Sequence, residues 1–170
     1  MLYAKLNMFS FSGLSYSQVE KELRLAIFRG TVDHGSGEVD AITAREIGKI
    51  IAERPEFIPK TIDFIKSRIK DPIPSTSAIA MKLLNRIMIL PNVNTMQIQR
   101  CVAKRVLDTM LRLATPNMGI HPLVQSVAST LIKHWALTCG TDECLSEFAD
   151  VARCPASILR YVQCVNNMHI

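Results

Sequence analysis

The chain has 170 residues, 48% of them hydrophobic and 21% charged, with a formal charge of +5. This profile fits one folded domain with a sizeable core and excludes a disordered chain. No apolar run reaches the ~18 residues that a bilayer span needs, and the first sixteen residues, with one lysine and no arginine, suit neither a signal peptide nor a mitochondrial presequence.

Residues 1–15 read as an N-terminal arm, with 16–170 as a single helical domain. "SQVE" (Ser17 to Glu20) fits a capping box opening a helix near 16–29, and "TARE" (Thr43 to Glu46) fits a second one in a helix near 40–53. "VDHGSGEV" between them is a loop by composition. Pro59 stands ahead of an apolar periodic run, and Ile58, Ile62, Ile65 and Ile69 share one face, giving a helix over 57–70. "KDPIPSTS" is again a loop. Ile79, Leu83, Ile87 and Leu90 form the next stripe, in a helix over 76–90 that is apolar on nearly two sides. Val102, Val106, Met110 and Leu113 continue the pattern over 95–114. Pro122 opens a helix over 121–137 with the stripe Val124, Val127, Leu131 and Trp135. Two further helices are read at 142–151 and 155–165, the latter behind Pro155. Strand-like alternation is absent, so the class is all-α, with about eight helices. Short connections make sequential helices near-antiparallel neighbours. A helix apolar on two sides belongs inside a stack, which fits an α-superhelix better than a four-helix bundle.

Chemistry-bearing motifs are missing. "HGSGE" lacks the lysine and the strand–helix context of a P-loop, and neither a GxSxG elbow nor an HExxH occurs. The four histidines have no nucleophile partner by motif, so the chain is expected to be no enzyme. Cysteines at 101, 139, 144, 154 and 164 are odd in number and form no CxxC pair, which fits a reduced, cytoplasmic compartment. His134, Cys139, Cys144 and Cys154 match no compact zinc spacing, and neither a metal nor a cofactor is expected. Charge is uneven: Pro72 to Thr141 holds Lys82, Arg86, Arg100, Lys104, Arg105, Arg112 and Lys133 against Asp108 alone, or +6, leaving −1 for the rest. Such a basic segment points to an acidic partner surface, whether phosphate, acidic peptide or anionic lipid.

Five stretches, "RGTVD" (Arg29 to Asp33), "PKTIDFIKSRI" (Pro59 to Ile69), "AMKLLN" (Ala80 to Asn85), "VAKRVLDTMLRL" (Val102 to Leu113) and "LVQSVASTLIKHWA" (Leu123 to Ala136), resemble VHS domains in order and interval over residues 20–165. The resemblance implies a right-handed superhelix of about eight helices in the ENTH/VHS superfamily, with Trp135 closing the C-terminal end of the core. It implies a non-catalytic adaptor of endosomal or Golgi sorting, cytoplasmic and peripheral to those membranes. It implies a ubiquitin surface at Asp40, Ala41 and Arg45; Ala41 lacks the indole that surface requires, so its loss is expected. For a subset of the family it implies a groove between the sixth and eighth helices, taking an acidic di-leucine peptide. Here that groove would use Lys104, Arg105 and Arg112 with Ile158, Arg160 and Tyr161. Arg105 and Arg112, two turns apart, are expected to point the same way. Related superhelical modules leave two other readings. One is a reader of the phosphorylated RNA polymerase II tail, for which Asn85 replaces an expected aspartate. The other is an ENTH-like phosphoinositide binder using Lys82, Arg86 and the basic run over 100–112. Direct contact with nucleic acid is not expected.

Overall fold

Ser15, rather than Ser17, opens the first helix of the computed structural model, which describes residues 10–116, 118–139, 145, 147, 148 and 150. In α1 (Tyr16–Gly30) the Ser15 hydroxyl accepts from the Gln18 N–H, and the Gln18 side chain accepts from the Ser15 N–H. The capping box thus lies two residues upstream of Ser17–Glu20, and Glu20 is released to pair with Lys60 at 2.6 Å. Helix α2 (Ala41–Glu53) starts at an Asp40 cap, and Thr43 donates its hydroxyl to Asp40 instead of forming a box with Glu46. A single 3-10 turn (Pro55–Phe57) leads into α3 (Ile58–Ile69). Helix α4 (Pro74–Met88) begins at a proline that sequence composition assigned to a loop, since the first helical position needs no N–H. The Ser77 hydroxyl then donates to the Ile69 carbonyl at 2.6 Å, tying α4 to the end of α3.

The helix expected over 95–114 is two helices, α5 (Thr95–Arg105) and α6 (Leu107–Ala114), broken at Val106 with φ −119°. The Val106 N–H still bonds the Val102 carbonyl, and the Val106 carbonyl accepts from the Met110 N–H. The apolar period therefore runs through the break, which is why it leaves no mark in the sequence. Helix α7 (Pro122–Thr138) opens as expected at Pro122, with His121 Nδ1 accepting from the Leu123 N–H. Its deep stripe is Val124, Ala128, Ile132 and Trp135, while Val127 and Leu131 are only partly buried. The described residues hold seven α-helices and no strand, so the protein is all-α. The helix expected at 155–165 lies outside the described residues, as does 142–151 apart from four positions.

Two rows of helices build the core. Tyr16, Glu20, Arg24 and Phe28, four residues apart along α1, meet a matching ladder on α3. Lys60 sits over the Tyr16 ring and pairs with Glu20, Arg24 lies over Phe64, and Arg68 over Phe28. Both numberings rise together, so α1 and α3 run parallel. Arg68 also donates to the fully buried Thr31 at 2.9 Å and pairs with Asp71, fastening the end of α1 to the end of α3.

The second row starts at Gly30. A Cβ there would come within 2.6 Å of Thr43 on α2 and 3.6 Å of Leu83 on α4. Seven residues after Leu83 and just past the end of α4, Leu90 lies against Gly48 of α2, so these two helices are also parallel. Helix α4 is buried on almost every side, packed between α3 and α7 and touching α2 and α5. Trp135 of α7 is 1% exposed; its Nε1 donates to Asn85 of α4 at 2.8 Å, and Phe148 meets the indole edge-on. The single tryptophan is therefore a core residue, placed where α7 closes on α4. Of the segment read as an arm, residues 10–15 are pinned. The Phe11 N–H donates to Glu53, and Arg54 donates to the carbonyls of Phe11 and Leu14.

Two consequences are measurable by denaturant unfolding. Gly30→Ala overpacks the meeting of α1, α2 and α4 and is expected to cost about 1–3 kcal/mol; a neutral effect would show that Thr43 yields freely. Trp135→Ala is expected to cost about 3–5 kcal/mol, and a loss under about 0.5 would contradict a buried indole.

Candidate functional site

The basic residues nominated on α5 and α6 are mostly engaged. Arg105 reaches across to α3 and grips both carboxylate oxygens of Asp63, at 2.9 and 2.7 Å. Arg112 pairs with Asp108 one turn back in α6, at 3.1 Å. The helix they were to share ends between them, so a seven-residue spacing no longer sets a common face. Lys104 is exposed at the end of α5. Ile158, Arg160 and Tyr161, the expected other wall, lie outside the described residues, as do Cys144 and Cys154. Cys101 is half-buried beside Arg105, and burial pushes its thiol pKa up, away from thiolate reactivity. Burial does the same to Cys139.

The second nominated surface sits at the start of α2. Asp40 is its cap, and the Thr43 hydroxyl, followed by the N–H groups of Ile42 and Thr43, holds the Asp40 carboxyl below its usual pKa. Asp40 is therefore spoken for by the helix. Ala41 and Arg45 line something that sequence reading did not anticipate, a groove of about 700 Å³ between α2 and the end of α4. Ligand sites commonly span ~300–1,000 Å³.

The groove arises because α2 carries small residues on the side that faces α4. Ala41, Ala44, Gly48 and Ala52 leave a shallow floor, into which Leu90 settles against Gly48. The opposite wall is aliphatic, from Ile89, Leu90, Pro91 and Val93, and Ile89 stands 60% exposed. Cations rim it. Arg45 returns its Nε to the Ala41 carbonyl, and Arg86 is exposed on the last turn of α4. Neither forms an ion pair among the described residues, although Asp40 lies close enough for Arg45 to help depress its pKa. Lys49 also lines the groove, lies over the Phe11 ring and pairs with Glu53.

From sequence alone, Arg86 belongs with the basic residues expected to face anionic lipid, and Leu90 with a buried stripe. The available signal was the aliphatic string continuing from Met88 past the helix end into "ILPNV". No family model, curated protein or solved structure matches the chain. No helix among the described residues is long and apolar enough to cross a membrane.

Because folding lowers the Asp40 pKa, its stabilisation is complete above the unfolded value of 3.8 and is lost as pH falls through the folded value. Asp40→Ala is expected to cost about 1 kcal/mol near neutral pH. Thermal melts of both proteins should converge as pH falls below about 4; a constant gap would show that the carboxylate charge does not carry the cap.

Proposed function

We propose that the chain is a non-catalytic docking module of the ENTH/VHS kind, a right-handed superhelix of about eight helices that recognises an acidic protein or peptide partner. The observation that carries this reading is the pair of guanidinium groups, Arg45 and Arg86, without ion pairs among the described residues on the edge of an apolar groove. An exposed charge pair contributes only ~0–1 kcal/mol, so cations alone give weak attraction. Cations beside exposed aliphatic surface give charge recognition together with apolar burial, at roughly 25 cal/mol per Å². The parallel alternation of α1 with α3 and α2 with α4 supports the superhelix, and the five VHS-like stretches support a cytoplasmic adaptor role at endosomal or Golgi membranes.

The polymerase-tail reading draws no support from α4, where Asn85 uses its amide oxygen on Trp135. The phosphoinositide reading loses Lys82, which donates to the Gly37 carbonyl and pairs with Glu38, both at 2.7 Å.

Fluorescence anisotropy with a panel of labelled peptides separates these readings. Acidic peptides bearing aliphatic residues are expected to bind, with affinity falling as salt rises from about 0.05 to 0.5 M, because screening shortens the reach of exposed charges. Phosphorylated heptad-repeat peptides are expected to bind no better than their unphosphorylated forms. Failure of every acidic peptide at low salt, or a strong preference for the phosphorylated repeat, would overturn the proposal.

A further inference from the structure

The α2/α4 groove differs chemically along its length. Its two walls run parallel, with Thr43 level with Leu83 and Gly48 level with Leu90, so Arg45 and Arg86 belong to the same end. Toward the other end stand Leu90, Val93 and Ala52, followed by Glu53. That far end is bounded by a pinned turn. Ser10 and Phe11 both donate to the Glu53 carboxylate, at 3.2 and 2.6 Å, and Lys49 covers the Phe11 ring.

We infer that the groove is a polar-to-apolar slot for a short extended peptide, which places a carboxylate between Arg45 and Arg86 and an aliphatic side chain against Leu90 and Val93. This rests on the reading of the chain as a module for acidic partners and adds its site, polarity and spacing. Charge complementarity sets the polarity: two guanidiniums without ion pairs among the described residues attract an acid at one end, whereas at the other Lys49 and Glu53 pair with each other and present no net charge. Distance sets the spacing. From Arg45 to Gly48 or Ala52 the helix climbs roughly 5–10 Å at 1.5 Å per residue. An extended peptide covers that span in about two to three residues at 3.3 Å each. Asp40 spends its oxygens on Ile42 and Thr43, and though it lies near Arg45 it forms no ion pair with it among the described residues. The Arg105 and Arg112 pairs take no part.

The test uses the full chain and a labelled acetyl-Asp-Asp-Ser-Leu-Gly amide, read by anisotropy at low salt. Arg45→Glu with Arg86→Glu is expected to weaken binding by about tenfold or more, and Ile89→Asp likewise. Arg105→Glu with Arg112→Glu should leave affinity within about twofold. Both groove arginines are exposed, and a charge swap guards against misfolding: the Lys-Lys-Ser-Leu-Gly peptide should bind the doubly reversed protein better than it binds the unaltered one. Inserting four Gly/Ser residues between acid and leucine should abolish the gain from leucine. Binding that ignores the groove variants, or follows Arg105 and Arg112, overturns the inference while leaving the docking function intact. Capture of phosphatidylserine vesicles through Arg45 and Arg86, with no peptide bound, also overturns it. If the unaltered chain binds no acidic peptide at all, the functional reading falls with it.

Discussion

Three helices meet at Gly30, and the rest of the molecule takes its geometry from that meeting. Helix α1 ends there, α2 starts against it through Thr43, and α4 passes beneath through Leu83. A methyl group would not fit at the observed separation. One residue on, Thr31 donates to the carbonyls of Ile27 and Phe28 and accepts from Arg68, which anchors α3 to the same point. Once the ends of α1 and α3 are tied and α2 is seated on α4, both rows are parallel, and the floor of small residues on α2 faces the last turn of α4. The groove follows from this packing and needs no separate folding element.

Pairing of charges then decides which part of a basic chain is free to act. The segment from Pro72 to Thr141 carries +6 in formal terms, more than the net charge of +5 of the whole chain. Folding neutralises much of it locally: Lys82 meets Glu38, Arg105 meets Asp63 and Arg112 meets Asp108. The acids at 38 and 63 come from outside the segment, so no count within it reveals the compensation. Arg86 is left without an ion pair among the described residues and stands level with Arg45, a residue from outside the basic segment altogether. The pattern of paired and unpaired charge is thus an inter-helix property, assembled by register.

Much of the architecture was legible because it rests on local periodicity. Ile58, Ile62, Ile65 and Ile69 are all buried as their spacing requires, and so are Ile79, Leu83 and Ile87. Helix starts were less exact. Ser15 and Asp40 outcompete Ser17 and Thr43 as caps, since several residues in each stretch have capping chemistry and only backbone geometry selects one. The break at Val106 was hidden by an apolar stripe that it does not disturb. The candidate site was the least legible part. It lies between helices two apart in sequence, its floor is defined by missing side-chain volume, and its aliphatic wall reads as core. The four-residue ladders on α1 and α3 were present in the sequence as Tyr16, Glu20, Arg24 and Phe28 against Lys60, Phe64 and Arg68, but their partnership appears only once the helices are set parallel.

The most direct test of the account is an amide chemical-shift map of the isotopically labelled chain titrated with the acetyl-Asp-Asp-Ser-Leu-Gly amide. The groove account expects saturable shifts concentrated on 41–53 and 86–93, with α5 and α6 nearly unmoved. Saturable shifts centred on 100–112, with α2 silent, would contradict it.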